Sequence, residues 1–448
     1  MTVANGSERA HWGSRIGFVL AAAGSAVGLG NIWKFPYITG EYGGGAFVLF
    51  YLFCIVIVGL PLMYAELIIG RRGGKDPLGA MRALIGQRSG GGRVLAVVTG
   101  LLSVASGFLI LSFYSVVAGW AIHFLLVSAG VIAASPEGAG ATFSVLTGSG
   151  LFSSAWHTAF MLLTIVIVSR GVHEGIERAC SLLMPGLIAI LLVLLVYVGF
   201  TGGLAESWRF LFRPDFHNLT GDGMLEALGH AFFTLSLGMG AMITYGSYLE
   251  RDTNVLRDGV AVAILDTVIA LLAGLVIFAV VFAAGKEPGA GPGLVFVTLP
   301  DLFASMPGGR LVGTAFFFLL LFAAWSSAIS LLEVVVAFFV DELKLPRARA
   351  SWIMGGVIWA IGLGCALRAP MLDFLDNLTT RYMLPIGGLL IAVAAGWVVS
   401  REDREAGFLG FGANGRPLAA GWTGLIRFVT PVAVLLVLLR QAGLISFG

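Results

Sequence analysis

The sequence predicts an all-α polytopic membrane protein of about eleven spanning helices, built as one domain from two inverted halves of five helices each. Three observations predict it. Of the 448 residues, 58% are hydrophobic and only 12% are charged, and mean hydropathy is +0.94. Soluble domains carry about 25% charged residues, and a chain this apolar could not cover its own surface with polar groups. Apolar runs long enough to cross a bilayer recur along the whole chain. Two of these runs are interrupted by glycine and small polar residues at matching places, and each opens one half.

A crossing needs about 20 apolar residues. Such runs occupy 14–36, 45–70, 94–128, 155–170, 176–200, 225–249, 258–284, 310–340, 350–368, 374–399 and 421–443. The fourth is short and the third and eighth are long, which predicts tilted helices. Residues 129–154 mix polar and apolar side chains and predict a re-entrant or extracellular cap. No small-residue cleavage pattern follows the first run, so it is expected to be retained. Within the single domain 1–448, the first repeat spans 9–200, the second 225–400, and an eleventh helix follows at 421–443.

Loop charges orient the bundle. An N-terminus inside puts Arg9, Arg71, Arg72, Lys75, Arg82, Arg88, Arg93, Arg170, Arg178, Arg251, Arg257, Lys344, Arg347, Arg349, Arg401, Arg404 and Arg416 in cytoplasmic segments. The outer loops then hold Arg209, Arg213, Lys286, Arg310 and Arg368. The positive-inside rule predicts a multi-pass plasma-membrane protein with its N-terminus cytoplasmic and its C-terminus extracytoplasmic. A net charge of +2 gives no reason to expect nucleic acid. The three cysteines, Cys54, Cys180 and Cys365, are widely spaced in apolar runs and read as buried small hydrophobes.

The two interrupted runs are AAAGSAVGLGNIWKFPY, 21–37, and FFTLSLGMGAMITYGSY, 232–248. They belong to the first and sixth crossings, so they run in opposite directions through the bilayer. Unwinding a helix in hydrocarbon frees carbonyls and amides that cost several kcal/mol each when unsatisfied. Such a break is tolerated where a ligand satisfies them. Freed carbonyls suit a cation of low charge, and half-helix N-termini suit a carboxylate. Close helix packing is the competing reading of Gly24 and Gly28, which form a GxxxG pattern.

Several ordered motifs then carry a resemblance: AGSAVGLGNIWKFPY, EYGGGAFVLFY, GLPLMYAELIIGRRG, FFTLSLGMGAMITYGSY and FFVDELKLPRARA. Over essentially the whole chain the sequence resembles the neurotransmitter:sodium symporter family, with the LeuT fold, and in particular its shorter prokaryotic amino-acid transporters. The resemblance implies sodium-coupled amino-acid symport by alternating access. It implies a first sodium site at Ala26, Asn31, Thr234 and Asp266, and a second at Gly24, Val27, Ala323, Ser326 and Ser327. It implies a substrate pocket at Ser25, Ala26, Gly28, Leu29, Gly30, Ile110, Tyr114, Phe233, Thr234, Ser236, Met239, Ser327 and Leu331. Amides near Leu29 and Gly30 with the Tyr114 hydroxyl would take the substrate carboxylate. Carbonyls near Ala26, Phe233 and Thr234 with the Ser236 hydroxyl would take its ammonium, and Phe233 would cover it. Ile110, Met239 and Leu331, with Trp325 nearby, would make an apolar end for neutral hydrophobic or aromatic L-amino acids.

The family's outer gate falls on Lys34 and Asp376, with lysine where arginine is usual. Its inner gate falls on Arg9 and Asp341, with Trp12, Ser247 and Tyr248 as helpers. Gly175 and Pro185 enclose nine residues, a spacing that resembles a family motif for unwinding the inner end of the fifth helix. Asp266 lies inside the seventh apolar run, where a lone carboxylate needs a partner. Chloride-dependent members have asparagine there, so Asp266 is expected to replace the chloride charge and make transport chloride-independent. His230 stands where glutamine is usual, one turn before Thr234. It reads either as a neutral core histidine or as an Asp266 partner with a part in proton counter-transport.

Besides two sodium ions and an amino acid, only lipid is expected as a partner; oligomeric state is left open. A membrane-embedded enzyme would need a nucleophile–base set or metal ligands. The histidines are scattered, no HExxH or GxSxG occurs, and no catalytic residue is assigned. A transport-inactive amino-acid sensor stays open as the alternative.

Overall fold

The computed structural model describes residues 10–86, 90–250, 253–288, 293–406, 408 and 415–445. The N-terminal helix α1, Arg15–Ala26, is capped by the Ser14 hydroxyl, which accepts from the Gly17 amide at 2.9 Å. It stops at Val27, and α2, Gly30–Glu41, resumes at an angle of 51°. The α2 helix opens with a π-wound turn, Gly30–Lys34, and carries Pro36 where the next turn begins. Proline has no amide to donate there, so the wide turn costs little further bonding.

The chain continues through α3 (Gly45–Gly73), α4 (Pro77–Ile85), α5 (Gly90–Ser128), α6 (Ala139–Gly148), α7 (Gly150–Ser169), α8 (Val172–Thr201) and α9 (Leu204–Phe212). Then follow α10 (Gly221–Thr234), α11 (Ala241–Gly246), α12 (Val255–Ala283), α13 (Leu294–Ser305) and α14 (Gly309–Leu343). The last are α15 (Arg347–Leu367), α16 (Ala369–Val398), α17 (Arg401–Ala406) and α18 (Gly415–Gln441). Among the described residues nine helices are long and apolar enough to cross a membrane, and the bent pair α1–α2 makes a tenth. The sixth expected crossing, 225–249, is not one helix: α10 has 14 residues, α11 has 6, and 235–240 between them is not helical.

Two boundaries differ instructively from the hydropathy reading. The fourth crossing is not short. It begins at Gly150 because Ser149 caps it, and Ser153 and Ser154 lengthen the helix without raising its hydropathy. The stretch 129–154 holds the short helix α6, whose Phe143 stacks on Phe296 of α13 at 5.6 Å. Phe296 in turn meets Trp33 edge-on at 6.2 Å, so α6 and α13 cap the end of the bundle that carries Lys34.

At the centre, α1 packs against α8, α12 and α14, while α10 and α11 both pack on α3. The breaks in the first and sixth crossings therefore meet in the middle of the bundle.

Candidate functional site

The break between α10 and α11 is held open by its own backbone. Ser236 has φ +54, Gly238 φ +83 and Gly240 φ +76. The left-handed region costs an L-residue about 1–2 kcal/mol, and Ser236 is kept there while its hydroxyl donates to the Ser25 carbonyl at 2.8 Å. Gly238 donates its amide to Glu66 of α3 at 2.7 Å, and Glu66 is fully buried. Glu66 was not singled out in the sequence reading. Its signal was the one that exposed Asp266, a lone carboxylate in an apolar run.

Across the break, Ser25, Ala26, Gly28, Leu29, Gly30, Ile110, Tyr114, Phe233, Ser236, Met239, Ser327, Ser330 and Leu331 line one small cavity of about 30 Å³. Thr234 and Trp325 are not on its wall, and Ser330 is an addition, bonded to the Ser25 hydroxyl at 2.7 Å. The Leu29 amide donates to the Tyr114 hydroxyl at 3.3 Å. A methyl group at Gly28 would stand 2.6 Å from the Ser327 hydroxyl and 3.0 Å from that of Tyr114, so glycine keeps the cavity open. Among the described residues no charged side chain lines it.

Beside the pocket, Asn31 donates to the Asp266 carboxylate at 2.7 Å and to the Asp266 carbonyl at 3.2 Å. Thr234 donates to the same carboxylate at 3.1 Å, and the Asn31 side-chain oxygen accepts from the Gly28 amide at 3.0 Å. Three broken or buried segments are thereby joined through one carboxylate. His230 is not part of this contact. Its ring lies against Phe35 and Tyr51, with centroids at 6.0 Å and 5.4 Å, and neither ring nitrogen has a hydrogen-bond partner among the described residues. Of the two readings of His230 the Asp266 contact is not formed, because the ring is packed between Phe35 of α2 and Tyr51 of α3.

The second set of expected sodium residues also converges. The Ser327 hydroxyl lies 3.3, 3.2 and 3.0 Å from the carbonyls of Gly24, Ser25 and Val27. The Ser326 hydroxyl donates to Phe322 and Ala323, each at 3.1 Å. Carbonyl and hydroxyl oxygens gathered in this way are the hard donors that a monovalent cation takes.

The two ends of the pocket differ. On the Lys34 side, a cavity of about 320 Å³ shares Leu29, Gly30, Tyr114 and Phe233 with the pocket. Lys34 pairs with Glu226 at 3.2 Å, and its ammonium lies 5.7 Å from the Phe233 ring centre. Asp376, the expected partner, lines the same space, but the ion pair goes to Glu226. Glu226 is also bonded by Arg440 of α18 at 3.3 Å, and Arg440 reaches Asp222 at 2.7 Å.

On the opposite side Trp12 is packed among aromatic rings. Its indole donates to the Tyr245 carbonyl at 3.0 Å, and its ring meets Phe18, Tyr245 and Tyr248 edge-on. Ser247 donates to the Thr244 carbonyl at 2.5 Å. The Tyr248 hydroxyl donates to Glu333 at 2.5 Å, and Arg347 pairs with the other oxygen of that buried carboxylate. A cavity of about 440 Å³ beyond Trp12 shares no residue with the pocket. Asp341 accepts from the Asp76 amide at 2.7 Å, and Arg9 lies outside the described residues. The roles of Glu333, Arg347 and Glu226 were missed by the sequence reading: Glu333 carries the same signal as Asp266, a carboxylate inside an apolar run, while Arg347 and Glu226 lie near run ends, where a charge gives no sign of its partner.

The sodium:neurotransmitter symporter family model matches residues 9–133 and 147–445. An uncharacterised sodium-dependent transporter of Bacillus subtilis (strain 168), YhdH, is 37% identical over 450 residues, 97% of this chain and 98% of that one. An uncharacterised sodium-dependent transporter of Methanocaldococcus jannaschii is 32% identical over 419 residues, 87% of this chain and 82% of that one. The crystal structure of MhsT in complex with L-phenylalanine matches with a TM-score of 0.86 at 42% identity, covering 97% of this chain and all of MhsT (100%). The chain belongs to the sodium:neurotransmitter symporter family, and is a sodium-using, multi-pass membrane transporter with the LeuT fold rather than an enzyme.

Proposed function

We propose that this protein carries neutral, hydrophobic or aromatic L-amino acids across the plasma membrane in symport with sodium, by alternating access and without chloride. The observation that carries the reading is the chemistry of the pocket wall. Leu29 and Gly30, at the break in the first crossing, share the wall with Tyr114, whose hydroxyl accepts the Leu29 amide, while Ile110, Met239 and Leu331 supply apolar surface. With no charged side chain on the wall among the described residues, an acidic or basic substrate would be buried without a partner. The similarity to MhsT, which was crystallised with L-phenylalanine, supports the same class.

In this reading the substrate carboxylate takes the amides near Leu29 and Gly30 and the Tyr114 hydroxyl. Its ammonium takes carbonyls near Ala26, Phe233 and Thr234 and the Ser236 hydroxyl. One sodium is bound by Ala26, Asn31, Thr234 and Asp266, and a second by Gly24, Val27, Ala323, Ser326 and Ser327. Each sodium draws together two segments that move apart in the empty carrier, so ion binding favours closure around the substrate. Asp266 supplies the fixed negative charge beside the first ion, which removes the need for chloride. The Lys34 side is extracytoplasmic and the Trp12 side cytoplasmic, as the loop charges require.

Radiolabelled uptake into proteoliposomes tests the reading, with sodium and chloride gradients varied separately. Sodium should drive accumulation of leucine, phenylalanine or tryptophan, and gluconate should replace chloride without loss. Sodium-independent accumulation, or competition by glutamate and lysine but not by leucine, would defeat it.

A further inference from the structure

The first residues of α1 are held by a carboxylate that belongs to another helix. Glu177 closes the π-wound first turn of α8, Val172–Glu177, and is buried. It accepts the Gly13 amide at 2.7 Å and the Ser14 hydroxyl at 3.1 Å, while His173 bonds it at 2.9 Å from the exposed side. Gly13 and Gly17 make the notch it occupies: a side chain at Gly17 would run into its carboxylate, and one at Gly13 into the His173 ring bonded to it. A second pin, Arg15 to the buried Asp258 at 2.6 Å, uses an arginine that is 46% exposed and so is screened by water.

The α8 end of this contact is the softer one. Its first turn is π-wound, and Pro185 removes an amide from the ladder two turns later. Local opening is drawn from such segments. When α1 and α8 part, water solvates both the Gly13 amide and the carboxylate, so the contact can break and re-form within a transport cycle.

We propose that Glu177 is the latch of the Trp12 side: its seat against Gly13 and Gly17 sets the balance between the form closed there and the form open there. It is a positioning residue, touching neither ion nor substrate. The inference rests on the alternating-access reading above. A state open at the Trp12 side lacks the assembled sodium sites, so weakening the latch must raise the sodium concentration needed to close it.

The native thiol Cys180, fully buried three residues after Glu177, reports the opening. Purified protein carrying Cys54→Ser and Cys365→Ser is labelled with a maleimide over a sodium series, with potassium as replacement. Sodium should protect Cys180. Glu177→Ala should speed labelling without sodium at least fivefold and raise the half-protecting sodium concentration at least threefold. Glu177→Gln, which keeps an acceptor for Gly13, should lie between. An unchanged sodium midpoint overturns the latch. So does a rise in labelling by one factor at every sodium concentration, which marks local loosening only. So does a Cys180 that ignores sodium in the parent chain. If Glu177→Ala does not fold, Gly17→Ala pushes the carboxylate out of its notch and must give the same midpoint shift; no shift there overturns the proposal. Wild-type uptake in proteoliposomes is the separate arm: its absence, with the midpoint shift present, removes the symport reading and leaves the latch.

Discussion

Asn31 and Asp266, 235 residues apart in the chain, are joined by a hydrogen bond of 2.7 Å between an amide and a buried carboxylate. The bond ties the break in the first crossing to the middle of α12, and Thr234 brings the sixth crossing to the same group. A carboxylate at this depth is tolerable only with such partners.

Asp266→Asn should therefore weaken sodium binding. Hydrogen bonds to charged groups contribute about 1.5–3 kcal/mol, so a loss of roughly 10- to 100-fold in sodium affinity is expected, read from radioactive sodium binding to purified protein. An affinity within twofold of wild type would remove Asp266 from the ion site.

Tyr114→Phe deletes the hydroxyl that accepts from the Leu29 amide and leaves the ring in place. A neutral hydrogen bond is worth about 0.5–1.5 kcal/mol net. Substrate affinity should fall roughly 2- to 12-fold, with the thermal midpoint of the ligand-free protein nearly unchanged. A large loss of stability instead would make Tyr114 a packing residue.

Gly238→Ala should destabilise more than Gly285→Ala. Both glycines have positive φ, +83 and +64. Only at Gly238 would a methyl group run into a neighbouring backbone, the Leu384 carbonyl; at Gly285 nothing lies within 4 Å. Thermal unfolding of the two variants separates the clash from the shared conformational cost of about 1–2 kcal/mol. Equal midpoints would show that the α10–α11 link yields at no cost.

Glu226→Gln should loosen the Lys34 side. The Lys34–Glu226 pair is partly exposed, 29% and 21% for the two side chains, and such pairs contribute about 0.2–1 kcal/mol. Substrate release should quicken about two- to fivefold in a radioligand chase, and the matching Asp376→Asn change should have the smaller effect. The reverse order would give the gate to Asp376.

Stability at the Trp12 side should depend on pH through Asp76, which lies between α3 and α4, outside the spanning helices. Burial pushes its carboxyl up to about 7 from a usual 3.8, with the charges of Asp341 and Glu342 adding to the shift. The folded state thus prefers the protonated form. Its contribution to stability is fully present below about pH 4 and is lost as pH rises through 7. Asp76→Asn, which can still cap α4 through the bonds now made to Leu78 and Gly79, should flatten the fall in thermal midpoint between pH 5 and about 8. A wild-type profile already flat over that range would contradict the assignment.

Much of the site was legible before any geometry. Ser25, Ala26, Gly28, Leu29, Gly30, Ile110, Tyr114, Phe233, Ser236, Met239, Ser327 and Leu331 were all expected on the pocket wall, and all line it. Glycine and small polar residues marked the two breaks by themselves, and the resemblance of the ordered motifs to the family implied the rest of the wall, including Ile110, Tyr114, Ser327 and Leu331. The partners of the charges were not legible. Glu226 for Lys34, Arg347 for Glu333 and Glu177 for Gly13 depend on which helix ends meet.

The sequence by itself determined that the chain crosses the membrane repeatedly, where most helices begin and end, and where two of them break. Those features follow from the cost of burying unsatisfied backbone in hydrocarbon, which every short stretch meets on its own. Only the tertiary structure decided that Lys34 pairs with Glu226, that His230 turns to Phe35 and Tyr51 rather than Asp266, that Glu177 accepts the Gly13 amide and that Trp12 bonds Tyr245. A charge or a ring takes the partner that packing brings within about 3 to 6 Å, and spacing along the chain carries no record of that meeting.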